Sequence, residues 1–147
     1  MRVFPKLHTR PLVCLGALAL AAATVSGAGD EKKKPSLNIR ATPVSGFAPL
    51  KVSVSVTLQG GANDYQEYYC PAIEWDWDDG TKSQEKIDCD PYEAGKSEIR
   101  RRFTAEHTYR QAGSYKVYFR LKQKSKTVGA GSANVRIRPG IREQTGG

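Results

Sequence analysis

Apolar and polar residues alternate along most of the chain with the period of two that is typical of a half-buried β-strand. The clearest example is residues 51–59, where valines and a leucine alternate with serines and a threonine. Similar runs, separated by turns that contain glycine or proline, occur at residues 37–41, 73–77, 103–109, 115–122 and 133–138. We expect residues 125–131 to form a connection. Because apolar residues nowhere recur at helical spacing over several turns, the pattern predicts an all-β, antiparallel sandwich of about seven strands.

The beginning of the chain has a different character. Arg2, Lys6 and Arg10 form a basic leader without acidic residues, and the apolar run Leu12–Val25 follows it. This run is shorter than the roughly 20 residues that span a bilayer, and small residues follow it, so residues 1–28 are interpreted as a secretory signal peptide. An uncleaved membrane anchor is the alternative. The predicted organisation is a signal peptide, a flexible linker, one sandwich domain and a disordered tail, at residues 1–28, 29–35, 36–139 and 140–147.

Cysteine usage agrees with export. Cys14 lies inside the apolar run and would be removed with the leader, which leaves Cys70 and Cys89 in the mature chain. An even number of cysteines in an oxidising compartment favours a disulfide, so we expect these two to pair. Two free thiols are the alternative. The mature protein is predicted to be secreted or periplasmic and not to be an integral membrane protein.

The charges of the chain are segregated along its length. The formal net charge is +8, with acidic residues concentrated in 64–98 and basic residues in 100–142. In a sheet protein this pattern favours oppositely charged neighbouring strands, and we expect Glu74 and Asp76 to offset part of the positive charge. The outward positions of the last two strands form what we call the basic face: Lys116, Tyr118, Arg120, Lys122, Arg136 and Arg138. This face is either simply solvated or a patch for an anionic glycan or lipid surface, and nucleic acid is not expected.

Three ordered motifs resemble those of PKD (polycystic kidney disease) domains. Residues 75–80, Trp-Asp-Trp-Asp-Asp-Gly, are similar to the family signature Trp-Asp-Phe-Gly-Asp-Gly, and residues 107–117 are similar to its His-x-Tyr…Gly-x-Tyr-x-Val segment. Residues 46–50 resemble its second-strand entry. The resemblance assigns structural roles to Trp75, Trp77, Asp79, Gly80, His107, Tyr109, Gly113, Tyr115 and Val117.

The resemblance covers residues 36–139 and implies a seven-stranded immunoglobulin-like sandwich, exported or extracellular, without a family-wide catalytic residue. Such domains make contacts with proteins or polysaccharides. The chain departs from the pattern at Asp78, which replaces a glycine, and in residues 61–72 and 82–99, which are longer than the family needs.

The sequence contains no recognisable catalytic motif, so we expect the protein not to be an enzyme; a small hydrolase with an unrecognised site is a remote alternative. His107 is interpreted as a structural hydrogen-bonding residue. Trp75 and Trp77 are interpreted as core residues rather than as a sugar-binding platform. We expect no cofactor and no metal, with calcium in the loops that carry Asp64, Asp88 and Asp90 as the alternative.

The two longer segments contain four of the tyrosines, Tyr65, Tyr68, Tyr69 and Tyr92. Tyrosine offers a large contact area at low entropic cost, and a disulfide would pre-organise these loops, so they are candidate ligand-binding residues. The alternative is that they pack the loops onto the sandwich. We therefore interpret the protein as an exported, non-catalytic and monomeric recognition or adhesion module for a protein or polysaccharide. A structural subunit of an envelope or extracellular assembly, docking through the basic face, is the alternative.

A first prediction concerns the leader. If residues 1–28 are a signal peptide, the secreted protein begins near Gly29, and its intact mass measured by mass spectrometry is lower by the mass of that segment. A product that retains Met1 and fractionates with membranes would contradict this interpretation.

Overall fold

The computed structural model describes residues 32–140, which form two β-sheets around one apolar core. In chain order the strands are β1 (Ser36–Thr42), β2 (Ser45–Phe47), β3 (Leu50–Gln59), β4 (Ala72–Asp76), β5 (Lys82–Glu85), β6 (Arg102–Tyr109), β7 (Gly113–Gln123) and β8 (Lys126–Arg138). A short 3₁₀ helix at Gln66–Tyr68 precedes β4. No helix among residues 32–140 is long and apolar enough to cross a membrane.

The smaller sheet has the strand order β1-β3-β6 and the larger one β2-β8-β7-β4-β5. All neighbouring strands are antiparallel except β2 and β8, which are parallel. The expected immunoglobulin-like sandwich is confirmed. The described residues contain eight strands where we expected about seven. The short edge strands β2 and β5 correspond to none of the alternating runs, and β5 is exposed along its whole length.

The apolar side of each alternating strand faces the other sheet. On β3 the side chains of Val52, Val54 and Val56 are fully buried. Trp75 and Trp77 are only 3% and 1% exposed, and the centre of the Trp75 ring lies 5.9 Å from that of Trp77. Both tryptophans are therefore core residues, and neither ring is available as a sugar-binding platform.

The prediction that residues 125–131 form a connection is wrong. The turn between β7 and β8 occupies only residues 124–125, and β8 already begins at Lys126. Small residues in this part of β8 reflect close packing rather than a loop: a Cβ atom at Gly129 would lie 2.8 Å from the hydroxyl of Tyr68, and one at Gly131 would lie 3.3 Å from Ile39.

The described part of the predicted flexible linker is bound to the sandwich. Nζ of Lys34 donates a hydrogen bond of 2.8 Å to the carbonyl oxygen of Val128, and the carbonyl oxygen of Lys33 accepts one of 2.8 Å from the amide of Ala62. Pro35 is buried. Residues 32–35 are thus an ordered extension of the domain. The predicted signal peptide, the first linker residues and residues 141–147 of the predicted tail lie outside the described residues.

The expected disulfide between Cys70 and Cys89 is present, with a Cα–Cα distance of 6.1 Å. It joins the residue range just before β4 to the long segment that follows β5. The end of that segment is fastened separately, because the guanidinium group of Arg101 donates hydrogen bonds of 2.6 Å to Oδ1 of Asn63 and 2.8 Å to the carbonyl oxygen of Gly60. The segment is therefore fastened both at the disulfide and at its end.

We predict that replacing both cysteines by serine (Cys70→Ser with Cys89→Ser) lowers the free energy of unfolding by about 2–4 kcal/mol, because the unfolded chain regains the entropy of the closed loop. Urea unfolding of the oxidised protein and of the variant measures the difference. Titration of two free thiols in the native, air-oxidised protein would contradict the pairing.

Candidate functional site

The outer side of the five-stranded sheet carries the basic face that the sequence predicts. On β7 the pleat turns Val117, Phe119 and Leu121 into the core, so the residues between them face outward. On the neighbouring strand β8, Val135 and Ile137 turn inward in the same way. The structure therefore brings together on one side of the sheet Lys116, Tyr118, Arg120, Lys122, Arg136 and Arg138.

Glu74 offsets part of the positive charge on one half of this face. It lies on β4 opposite Arg120 on β7 and Gln84 on β5, and its side chain is 8% exposed. Its Oε1 accepts a hydrogen bond of 2.8 Å from Arg120, and its Oε2 accepts bonds of 2.6 Å from Lys122 and 3.1 Å from Gln84. We call Glu74, Gln84, Arg120 and Lys122 the paired cluster. Because both cations are bound to this buried carboxylate, its negative charge offsets part of their positive charge.

The surroundings of Glu74 favour its charged form. The hydrogen bond from Lys122 lowers the pKa of Glu74 most, burial acts in the opposite direction, and the hydrogen bond from Arg120 lowers it further, so that the pKa lies below its ordinary value. Asp76 extends the pairing along β4, with its carboxylate 3.2 Å from Nζ of Lys82 and 3.6 Å from Arg120. The expected ion pairs of Glu74 and Asp76 across the strands are thus present.

The other half of the face has no such partner. Lys116, Arg136 and Arg138, which we call the basic strip, are exposed. Within residues 32–140 no carboxylate oxygen lies within 4.0 Å of their side-chain nitrogens. Lys116 lies 5.4 Å from the centre of the Tyr118 ring and Arg138 lies 5.8 Å from that of Phe47, contacts that leave the positive charges at the surface.

A shallow groove of about 320 Å³ lies beside Lys116 and Arg136 of the basic strip. Its lining comes from β7, β8 and the residue before β2: Val44, Ser114, Tyr115, Lys116, Asn134, Val135 and Arg136. The side chains of Val44 and Phe47 are unusually exposed for apolar residues, at 62% and 54%. Sequence reasoning did not identify Val44, Phe47 or Asn134, because only the parallel pairing of β2 with β8 brings the first two beside the basic residues.

Asp78 fastens the beginning of β7 to the turn after β4. It has the left-handed backbone conformation, with φ of 61°, that the resembled family provides with glycine. Aspartate tolerates this conformation better than most residues. Its Oδ2 accepts a hydrogen bond of 2.9 Å from the backbone amide of Lys116, so the departure from the pattern introduces a bond that glycine could not make.

Two of the four loop tyrosines pack against each other. Tyr68 is 1% exposed, because the 3₁₀ helix places its ring under β8 at Gly129. The ring of Tyr65 contacts that of Tyr68 edge-on at 5.1 Å, and its hydroxyl donates a hydrogen bond to Glu67. Because the Tyr68 ring is buried, it offers little contact area to a ligand, and its role as a ligand-binding residue stays a prediction.

The other two tyrosines bind the disulfide-linked segments to each other. The hydroxyl of Tyr69 donates to the carbonyl oxygen of Asp90 at 3.0 Å, and that of Tyr92 donates to the carbonyl oxygen of Asp64 at 2.6 Å. Their ring centres lie 5.5 Å apart. These contacts support the packing alternative, although both side chains retain a partly exposed surface.

His107 belongs to a hydrogen-bonded cluster at one end of the sandwich. Its Nε2 lies 2.6 Å from Oδ2 of Asp79, and the hydroxyl of Thr81 donates to Oδ1 of Asp79 at 2.5 Å. Partial burial tends to raise the pKa of Asp79, but the hydrogen bonds from Thr81 and His107 outweigh it and hold that pKa below its ordinary value. The His107 ring stacks on that of Trp77, with the ring centres 4.6 Å apart. The hydroxyl of Tyr109 donates a hydrogen bond of 2.9 Å to the carbonyl oxygen of Trp77.

One of the acidic loop residues, Asp64, is engaged with the protein itself. Asp64 forms an ion pair with Lys32 and accepts a hydrogen bond of 2.8 Å from the amide of Gly95. Among residues 32–140 no group of three or more histidine, cysteine, aspartate or glutamate side chains is arranged to hold a metal ion.

No protein-family model matches the sequence, and no curated protein matches it. The solved structures that are similar in fold include the following three. A PKD domain of an M14-like peptidase from a Thermoplasmatales archaeon is 14% identical, with a TM-score of 0.48 over 72% of this chain and 97% of that one. A superoxide reductase from Ignicoccus hospitalis is 15% identical, with a TM-score of 0.42 over 74% of this chain and 83% of that one. A CARDB domain from Pyrococcus furiosus, in complex with di-metal ions, is 13% identical, with a TM-score of 0.41 over 71% of this chain and 90% of that one.

We predict that Glu74→Gln lowers the free energy of unfolding by about 1–3 kcal/mol at neutral pH, because Arg120 and Lys122 lose a charged acceptor. A lowered pKa in the folded state means that the stabilisation is complete above the ordinary glutamate pKa and is lost as the pH falls through the folded value. The wild-type unfolding midpoint should therefore fall more steeply than that of the variant on acidification below about pH 4.5.

The matched control is Glu85→Gln on the neighbouring strand β5, which removes an exposed ion pair between Glu85 and Arg100. Exposed pairs contribute at most about 1 kcal/mol, so this variant should unfold nearly like the wild type. Equal losses of stability in the two variants would show that Glu74 does not act as a buried anchor.

Proposed function

We propose that the protein is an exported, non-catalytic recognition module that binds an anionic macromolecule through the basic strip. The observation that carries the proposal is the division of the basic face. Arg120 and Lys122 are bound to Glu74, whereas Lys116, Arg136 and Arg138 lie exposed without a carboxylate partner among the described residues.

The electrostatics of the strip are suited to a charged partner. Exposed cations held on a rigid sheet attract an anionic ligand over a distance of about the Debye length, roughly 8–10 Å at physiological salt. Such charges contribute chiefly to the rate of association and to its dependence on salt. The exposed side chains of Val44 and Phe47 at the edge of the strip add apolar contact area that charge alone would not supply.

The disulfide-linked loops are less suited to this role than the sequence suggests. Tyr68 is buried, and the hydroxyls of Tyr69 and Tyr92 are bound to backbone carbonyl oxygens. The loops therefore use their aromatic residues to hold their own conformation. Export is supported by the leader pattern in residues 1–28 and by the Cys70–Cys89 disulfide, which is typical of an oxidising compartment.

The test compares three forms of the mature protein on a panel of immobilised anionic and neutral polysaccharides and anionic vesicles near 0.15 M salt. The strip variant carries Lys116→Glu, Arg136→Glu and Arg138→Glu, and the loop variant carries Tyr69→Ala and Tyr92→Ala. We expect the wild type to bind anionic members of the panel, the strip variant to lose at least about tenfold in affinity, and the loop variant to bind within about threefold of the wild type.

Retained binding by the strip variant together with loss in the loop variant would contradict the proposal and place the site on the disulfide-linked loops. Circular dichroism and urea unfolding establish that each variant is folded before binding is compared. A wild type that binds no anionic member of the panel would also contradict the proposal.

A further inference from the structure

The paired cluster shows how this sheet binds a carboxylate. Glu74 lies on the outer side of the sheet and receives hydrogen bonds from an arginine, a lysine and a primary amide: Arg120, Lys122 and Gln84. Glu74 lies on β4, and its donors lie on the two neighbouring strands β5 and β7. Side chains at opposed positions of neighbouring strands are close enough for all three donors to reach one carboxylate. The paired cluster therefore shows which side chains can bind a carboxylate on this face of the sheet.

The groove beside Lys116 and Arg136 presents the same kinds of donor without the acid. Lys116 on β7 lies directly opposite Asn134 on β8, and Ser114 lies directly opposite Arg136. These four residues form a block two strands wide on one side of the sheet, and all four are exposed. An arginine, a lysine and a primary amide thus occur again, with a hydroxyl in addition, around a groove of about 320 Å³.

We propose that this groove is a carboxylate subsite for an acidic polysaccharide, an inference that rests on the function proposed above. A ligand carboxylate would take the position between Lys116, Asn134 and Arg136 that Glu74 takes in the paired cluster. Arg138 lies two residues beyond Arg136, about 7 Å further along β8, and supplies a second cation for the next carboxylate of the same chain.

The apolar surroundings favour a sugar over an isolated acidic group. Val44, 62% exposed, lines the groove, and Phe47, 54% exposed, lies beside Arg138. The C–H face of a pyranose ring can pack on such side chains while its substituents reach the polar donors. The volume lies at the lower end of the range for small-molecule sites, which fits one ring of an extended polymer rather than a whole compact ligand.

The deciding variant is Asn134→Asp. It places a carboxylate of the protein beside Lys116 and Arg136, just as Glu74 lies beside Arg120 and Lys122. The matched control is Asn38→Asp, the same change of charge and size at an exposed position of β1 on the other sheet. The probes are polygalacturonate, dextran sulfate, uncharged dextran and phosphatidylglycerol vesicles. We expect wild type and N38D to bind polygalacturonate alike, N134D to bind it at least about tenfold more weakly, and uncharged dextran not to bind.

The outcomes separate this inference from the function on which it rests. If dextran sulfate or the vesicles bind through the strip while polygalacturonate does not, the carboxylate subsite is wrong and the recognition module stands. If polygalacturonate binds N134D as well as N38D, the groove is not the subsite. If none of the anionic probes binds the wild type, both proposals fail. Equal unfolding midpoints of the two variants establish that the difference in binding does not arise from loss of structure.

Discussion

The pleat of β7 is the constraint on which the core and the surface chemistry both depend. This strand lies in the middle of the larger sheet and pairs with β4 on one side and β8 on the other. Its Val117, Phe119 and Leu121 fill the core, and the residues between them reach solvent. A shift of register by one residue would exchange the two sets, burying the cations and exposing the core. The burial of these apolar side chains therefore determines where the charges of the outer face lie.

The distribution of charge on that face is unequal because the acids come from one side only. Glu74 and Asp76 lie on β4, next to the end of β7 that carries Arg120 and Lys122. The opposite neighbour, β8, contributes arginines and no acid to the same face. Among the described residues, the side-chain ion pairs on β7 therefore involve Arg120 and Lys122 and not Lys116. The asymmetry of charge along the sequence thus becomes an asymmetry of charge on the surface.

The parts of the structure that follow from local pattern were predictable, and those that depend on distant partners were not. Alternation identifies Val54 or Phe119 as core residues, and the charge pattern anticipates the pairing of Glu74 with β7. The exposure of Val44 and the burial of Tyr68 depend on contacts with β8, far away in the chain, and neither residue carries a local signal for them. The Gly129 region resembles a turn in sequence because glycine serves both turns and close approaches of side chains to a strand.

The parallel pairing of β2 with β8 also has a mechanical consequence. Lys34 is bound beside Val128 near the start of β8, whereas β2 is paired with the end of β8, at Arg136–Arg138. Tension between residues 34 and 140 would run along these strands and would load the β2–β8 hydrogen bonds together, in shear. Bonds loaded together resist rupture better than bonds opened one after another. A domain with this geometry can bear tension along its length until the β2–β8 pairing separates as a unit.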